Sequence, residues 1–194
     1  MKLLELSNLQ KQYGENAVIH DISMDVTQGE VVAIIGPSGS GKSTLLRCAA
    51  GIYRPADGTV TMDGVPIYEN PKMKARMNFI PDDLYFFLSA STRDMMQFYR
   101  GFYPNFDMKR YEALKDIFGS VNEKQPIRRL SKGMQKQSAF WLSLCCKPDY
   151  LLLDEPVDGL DPVMRRQVWS LLIGDVAEHG TTVLVSSHNL RELE

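Results

Sequence analysis

The residues with the clearest chemistry are Gly36, Pro37, Ser38, Gly39, Ser40, Gly41, Lys42, Ser43 and Thr44, in unbroken order. Glycines let successive backbone N–H groups turn inward around an anion without Cβ clashes. A lysine placed directly behind them reaches β- and γ-phosphates, and the next serine offers a hydroxyl to Mg²⁺. Two elements must hold such a loop. Val31 to Ile35, ahead of it, reads as a buried strand, and Thr44 to Ala50 reads as the opening of a helix. Strand, glycine-rich loop, Lys-Ser and helix is the layout of a phosphate-binding loop. The helix N-terminus adds unpaired donors and a positive dipole end. The bland alternative is a flexible Gly/Ser turn.

A second chemistry sits in Leu151-Leu152-Leu153-Asp154-Glu155-Pro156. This is a buried strand ending in two carboxylates, and burying an unpaired charge is costly, so packing does not explain them. Asp154 is expected to hold the Mg²⁺ that Ser43 also touches. Glu155 is expected to take a proton from the attacking water, or to orient it. A helix-capping acidic turn is the alternative. His188 follows Ser186-Ser187 behind another apolar run. There it would hydrogen-bond a γ-phosphate and hold the water and Glu155 in geometry. His20 and His179 have no comparable setting and read as structural.

The elements that must position these groups share one pattern. Val31–Ile35 runs into the glycine-rich loop, Asn78–Ile80 into Asp82, Tyr150–Leu153 into Asp154 and Glu155, and Thr182–Val185 into His188. Open α/β sheets bind ligands at the carboxyl ends of parallel strands, so all these segments point at one place. The first third is β-rich. Leu3–Leu9 and Val18–Val26 alternate in part, with turn signals at Tyr13-Gly14-Glu15-Asn16 and Gln28-Gly29. Gly58–Gly64 reads as a short strand closed by an Asp-Gly turn. About Ser91 to Cys146 reads as helical, with breaks at Tyr103-Pro104-Asn105 and Lys124-Gln125-Pro126. Asp161 reads as an N-cap with Pro162 at the first helical position. Met164, Val168, Leu171 and Leu172 then recur on one helical face.

Composition narrows the function classes. The chain has 194 residues, enough for one domain with a real core and a subdomain. Its 24 acidic and 22 basic residues nearly balance, which gives no general pull toward nucleic acid or an anionic membrane. The 3 cysteines, Cys48, Cys145 and Cys146, show no metal-ligand spacing and read as buried small side chains in a reducing compartment. No apolar run approaches the roughly 20 residues that span a bilayer. Met1-Lys2-Leu3-Leu4-Glu5 is not a signal peptide, since charge interrupts it at once. A soluble protein that reaches a membrane only through a partner is expected.

Taken together, the motifs resemble those of ATP-binding-cassette (ABC) ATPases, in family order and over nearly the whole chain. Gly36–Thr44 looks like a Walker A motif and Leu151–Glu155 like a Walker B. Leu130-Ser131-Lys132-Gly133-Met134-Gln135 resembles the family's signature, commonly Leu-Ser-Gly-Gly-Gln. Gly159-Leu160-Asp161 resembles its D-loop, His188 its switch histidine, and Tyr13 its adenine-stacking aromatic. The resemblance implies an α/β P-loop NTPase core with an antiparallel β subdomain and a helical signature subdomain. It makes residues 1–194 one ABC ATPase domain, with the helical subdomain at about 84–146. It implies ATP and Mg²⁺ as ligands, with Lys42, Glu155 and His188 catalytic and with Ser43, Asp82 and Asp154 at the metal. It also implies a second ABC ATPase subunit, identical or related, closing head to tail so that Ser131, Lys132, Gly133, Met134 and Gln135 meet the partner's ATP.

The basic residues bear on that dimer. Arg128, Arg129, Lys132 and Lys136 gather around the expected N-terminus of a helix, where cations oppose the helix dipole. A docked anion explains them, as does a solvated basic face. Two positions depart from the family pattern. Asp82 stands where the lid loop usually has glutamine, and a carboxylate can ligate Mg²⁺ but cannot donate at neutral pH. Lys132 and Met134 replace a glycine and a glutamine of the signature. Leu-Ser-Lys-Gly-Met, with Phe102-Tyr103-Pro104-Asn105-Phe106-Asp107, looks like the ABC-2 type group, mostly bacterial exporters.

That resemblance implies a cytoplasmic subunit, peripheral at the inner face of a bacterial membrane and bound to integral membrane transporter subunits. Leu84-Tyr85-Phe86-Phe87-Leu88 suits either a groove for a membrane-subunit helix or the core of the helical subdomain. The rival functions are a soluble ABC ATPase acting on nucleic acid or ribosomes, and a weakly hydrolysing regulatory module. No coiled-coil insertion or long basic segment supports the first, so no nucleic acid is expected. The family usually continues well past the switch histidine, whereas this sequence stops at Glu194. A C-terminally truncated or naturally short form with an exposed sheet edge is therefore expected.

Overall fold

In a computed structural model, which describes residues 3–189, the chain forms two sheets flanked by helices. Met1, Lys2 and the end at Glu194, which entered the readings above, lie outside the described residues. The antiparallel sheet takes β1 (Leu3–Tyr13), β2 (Asn16–Thr27), β4 (Asp57–Met62) and β5 (Val65–Pro66) in the order β2-β1-β4-β5. The other takes β3 (Val31–Ile35), β6 (Met77–Ile80), β7 (Tyr150–Asp154) and β8 (Thr182–Ser187) in the order β3-β8-β7-β6, with every neighbouring pair parallel. The helices are α1 (Lys42–Ala49), α2 (Pro71–Lys74), α3 (Thr92–Phe102), α4 (Met108–Ala113), α5 (Lys132–Cys145) and α6 (Pro162–His179).

The buried strand β7 shows how the sequence builds this. Its residues are all buried, and they divide by parity between two cores. Tyr150 and Leu152 join Leu45, Leu46 and the antiparallel sheet, while Leu151 and Leu153 join Phe140, Trp141 and Val168 on the helical side. A parallel strand covered on both faces reads as an unbroken apolar run, which is why Leu-Leu-Leu does not alternate. The expected parallel segments are thus one sheet, and their carboxyl ends share one edge. β3 lies at the side of that sheet with Val31 and Ile35 about half exposed.

Local signals fix several ends. Asp63 and Gly64 both adopt positive φ, which suits the tight turn between β4 and β5. Ser91 and Asp94 form a reciprocal capping box on α3. Asp161 caps α6, accepting from the N–H groups of Val163 and Met164 at 3.0 Å each, with Pro162 next.

The middle of the chain departs from expectation between α4 and Ile127. Residues 114–123 form turns and irregular backbone in place of a helix, and 124–126 form the expected break. Gly119, Val121 and Asn122 are poor helix formers, and the Glu123 carboxylate accepts from Tyr111 and Lys115. Phe118 and Val121 are nonetheless buried, so tertiary packing holds the segment. The cysteines are buried and unbridged, as expected. Burial pushes the Cys145 thiol up to about 12, which suits an inert side chain. Among the described residues no helix is long and apolar enough to cross a membrane.

Candidate nucleotide-binding site

The site forms where β3, β7 and β8 end. β3 delivers Gly36, Pro37, Ser38, Gly39, Ser40 and Gly41 as a loop, and α1 starts at Lys42. Gly41 is the α1 N-cap at φ 94°, a conformation that other residues rarely adopt, and its missing Cβ would lie 3.0 Å from the Val18 carbonyl. That close approach sets the β1–β2 hairpin beside the loop. No side chain caps α1 and no acidic residue lies in its first turn, so its N-terminal donors face the loop. Thr44 continues the helix behind Ser43.

Lys42 is 8% exposed and donates to the carbonyls of Gly36 at 2.8 Å and Pro37 at 3.0 Å. It also lies 3.6 Å from Glu155 Oε1. The other carboxylate oxygen, Oε2, accepts from the His188 N–H at 3.2 Å and lies 2.9 Å from His188 Nδ1. One carboxylate is thus held between a lysine and a histidine from different strand ends. This is the layout expected of a base whose aim is fixed by its neighbours.

Asp154 is fully buried. Its Oδ1 accepts from Ser43 Oγ at 3.0 Å and Ser186 Oγ at 2.7 Å. Its Oδ2 has no hydrogen-bond partner although it is buried. An orphaned carboxylate oxygen beside a serine hydroxyl fits a hard cation. Among the described residues no three His, Cys, Asp or Glu side chains form a metal cage. That also fits Mg²⁺, which commonly takes one or two protein ligands with water and substrate phosphate. Bound there by Ser43 and Asp154, Mg²⁺ would neutralise phosphate charge.

The other expected residues are placed as follows. Tyr13 ends β1, about half exposed, with its ring 6.2 Å from the Tyr53 ring at 82° and Lys11 Nζ 5.4 Å from its centroid. The ring is therefore partly accessible, with the Lys11 ammonium over one face. Asp82 does not join Ser43 and Asp154; its carboxylate lies 3.3 Å from Lys136 Nζ. Lys136 corrects the exposed basic cluster. Arg128, Arg129 and Lys132 are exposed, but Lys136 is buried and turned inward. The exposure of the first three side chains fits either a solvated face or a docked anion.

Ser131 caps α5 by accepting from Met134 N–H at 3.2 Å. Met134 packs partly against the helical core, and Gln135 donates to the Leu130 carbonyl at 2.9 Å. Gly133 lies so close to the D-loop that a Cβ there would meet the Gly159 carbonyl at 2.9 Å. The signature and D-loop segments therefore pack within one chain, close to the Asp161 cap of α6.

Sequence reasoning singled out Gly159 and Lys136 without foreseeing their contacts here, and gave Ser186 no role. Ser186 donates to Asp154 and accepts from the Glu155 N–H at 3.1 Å, tying β8 to both carboxylate positions. A small polar residue ending a buried strand was its only signal. Gly159 receives Gly133, and Lys136 donates to the Glu155 carbonyl at 2.6 Å. Neither contact has a spacing signature.

A parallel sheet with a glycine-rich loop at its carboxyl edge, a bonded serine–aspartate pair and a carboxylate held beside them defines the class of P-loop nucleotide-binding proteins. The profile of the family described as ABC transporter matches residues 19–158. This chain belongs to that family.

The chain is 35% identical over 192 residues to the ABC transporter ATP-binding protein YtrB of Bacillus subtilis strain 168, covering 99% of this chain and 65% of that protein. It is 33% identical over 198 residues to the Nod factor export ATP-binding protein I of Cupriavidus pinatubonensis, covering 99% of this chain and 60% of that one. The chain thus spans less than two thirds of the length of these relatives. Others, 29% to 34% identical, are named for glutamine transport, aliphatic sulfonate import and bacitracin transport. A solved dimeric bacterial ABC transporter cassette superposes with TM-score 0.85 at 25% identity, covering 97% of this chain and 89% of that one.

Proposed function

We propose that this chain binds Mg²⁺-ATP and hydrolyses it as the ATPase subunit of a bacterial ABC exporter. The observation that carries this reading is the Glu155 carboxylate, held between Lys42 and His188 beside the Asp154–Ser43 pair. The glycine-rich loop holds the phosphates, Tyr13 stacks on the base, and Glu155 accepts the proton of the attacking water while His188 fixes its orientation. The signature residues Ser131 to Gln135 complete the site of a second subunit, so ATP lies between two cassettes. The dimeric form of a similar cassette supports that arrangement. In this reading Asp161 closes the D-loop against the partner.

The apolar run after the lid loop supports a membrane partner. Phe86 is buried in the helical core, whereas Tyr85 and Leu88 are 78% and 74% exposed, so the run fills the core in part and leaves an apolar surface that suits a partner helix. Tyr85, Phe87, Phe98 and Phe102 line a groove of about 610 Å³ with Pro71 and Met95. An apolar groove of this size suits an amphipathic helix from an integral membrane subunit. Such docking places the chain at the inner face of the membrane. Export is supported by the Leu130–Met134 segment and by a relative named for export.

Expression of the full-length protein with its membrane fraction tests this. The expected result is Mg²⁺-dependent ATPase activity in a complex with an integral membrane protein. Turnover with no membrane partner and with salt-sensitive RNA binding would replace it with the nucleic-acid reading.

A further inference from the structure

Glu155 occupies the left-handed region at φ +45° without a glycine's freedom. Residues held there persist only where their surroundings over-determine them. Four groups fix this one. Ser186 accepts its N–H, His188 and Lys42 flank its carboxylate, and Lys136 donates to its carbonyl at 2.6 Å. Three of them come from the strand ends or the phosphate loop. Lys136 comes from α5, the helix that opens with the signature segment.

Lys136 is 6% exposed, and an ammonium is rarely buried without partners. Its second partner is Asp82 Oδ1 at 3.3 Å, on the lid loop that follows β6. One ammonium thereby joins α5, the lid loop and the turn after β7. A polar cleft of about 280 Å³ lies beside it, lined in part by Asp82, Asp83, Lys132 and Asp158.

We propose that Lys136 is a positioning residue for Glu155. It clamps the left-handed turn through the Glu155 carbonyl and braces it against the lid loop through Asp82. The signature helix thereby sets the aim of the base within its own subunit. This inference rests on the reading of Glu155 as the base. Methionine matches the length of lysine but donates nothing, and arginine keeps the charge and the donors.

The test uses Lys136→Met and Lys136→Arg in the full-length protein, each alone and combined with Glu155→Gln. Amide hydrogen exchange without nucleotide is measured alongside ATP affinity and turnover. In Lys136→Met, exchange is expected to quicken over residues 154–158 while α5 stays protected. Turnover is expected to fall on the order of tenfold to a hundredfold, the effect of misaiming a catalytic group, with ATP affinity unchanged. Lys136→Arg should restore most of both. Within Glu155→Gln, Lys136→Met should cost almost nothing more, because its effect runs through the missing carboxylate. Unchanged exchange at 154–158, loss of protection throughout α5, or an equal fold-loss in both backgrounds would each overturn the proposal. Full turnover by Glu155→Gln alone would instead overturn the base assignment and leave the exchange result to decide the clamp.

Discussion

The strand-end site and the signature region use their polar groups in opposite ways. At the strand ends Lys42, Glu155, Asp154, Ser186 and His188 are bonded to one another within one chain. Around the α5 N-terminus Arg128, Arg129, Ser131 and Lys132 are exposed, and the segment is held by the Ser131 cap, the Gln135–Leu130 hydrogen bond, Met134 packing and the close Gly133–Gly159 contact. The first arrangement is organised before any ligand arrives, which is what electrostatic catalysis requires. The second offers donors and cations outward, as a surface completed by another molecule would. On the proposed reading, the chain carries one finished half and one unfinished half of a nucleotide site.

Breaking the finished half should have the largest effect. Glu155→Gln is expected to lower ATP turnover by about 10²–10⁴, the range for a lost general base, with nucleotide affinity retained. Steady-state hydrolysis and equilibrium ATP binding check both parts, and equal turnover in mutant and parent would remove Glu155 from that role.

Disturbing the unfinished half should spare the P-loop. In Gly133→Ala the new Cβ would lie 2.9 Å from the Gly159 carbonyl. Overpacking of this kind costs about 1–3 kcal/mol. Turnover is expected to fall while ATP affinity of the isolated subunit holds. A matching drop in affinity would erase the contrast between the regions.

Tyr13→Ala probes the boundary between them. It should weaken ATP binding by about 1–3 kcal/mol, the range for stacking a base on an aromatic ring. Calorimetric titration would show an unchanged affinity if the ring lies outside the site.

The smallest expected effect lies far from both regions, at Asp107. Its carboxylate pairs with Lys147 at 2.6 Å and accepts from the Arg110 N–H at 3.0 Å as the α4 cap. The hydrogen bond from Lys147, then that from the Arg110 N–H, draw its pKa down from 3.8 to about 2. A depressed carboxylate stabilises the fold above its unfolded value and loses that contribution as pH falls through the folded one. Asp107→Asn should therefore flatten the melting-temperature profile between about pH 4 and 2. The group is partly exposed, so solvent screening limits the loss at neutral pH to about 0.2–1 kcal/mol. A profile parallel to the parent's would refute the assignment.

Much of this was legible without coordinates. The runs Val31–Ile35, Tyr150–Leu153 and Thr182–Val185 are short, apolar and followed by chemistry, and each lies in a strand of one sheet. Asp161-Pro162 announced a helix start, and the structure gives that cap two backbone donors. The stretch at 114–123 misled, since weak helix formers were held by burial that no periodicity announces. Asp82 and Lys136 misled in another way. As residue types they fit a metal site and a basic surface, yet their mutual pairing across 54 positions gave each a different role.

The sequence by itself determined the chemistry available: a loop that can wrap phosphate, carboxylates at a strand end, a histidine behind another strand and a capped signature helix. These rest on local rules of backbone freedom, capping and apolar runs, which act over a few residues. Only the tertiary structure decided which groups meet. The β3-β8-β7-β6 order brings Ser186 between Asp154 and Glu155, and the packing of α5 against the sheet carries Lys136 to the Glu155 carbonyl. Those contacts follow from burying two apolar faces at once, a requirement that the whole chain meets and no segment encodes alone.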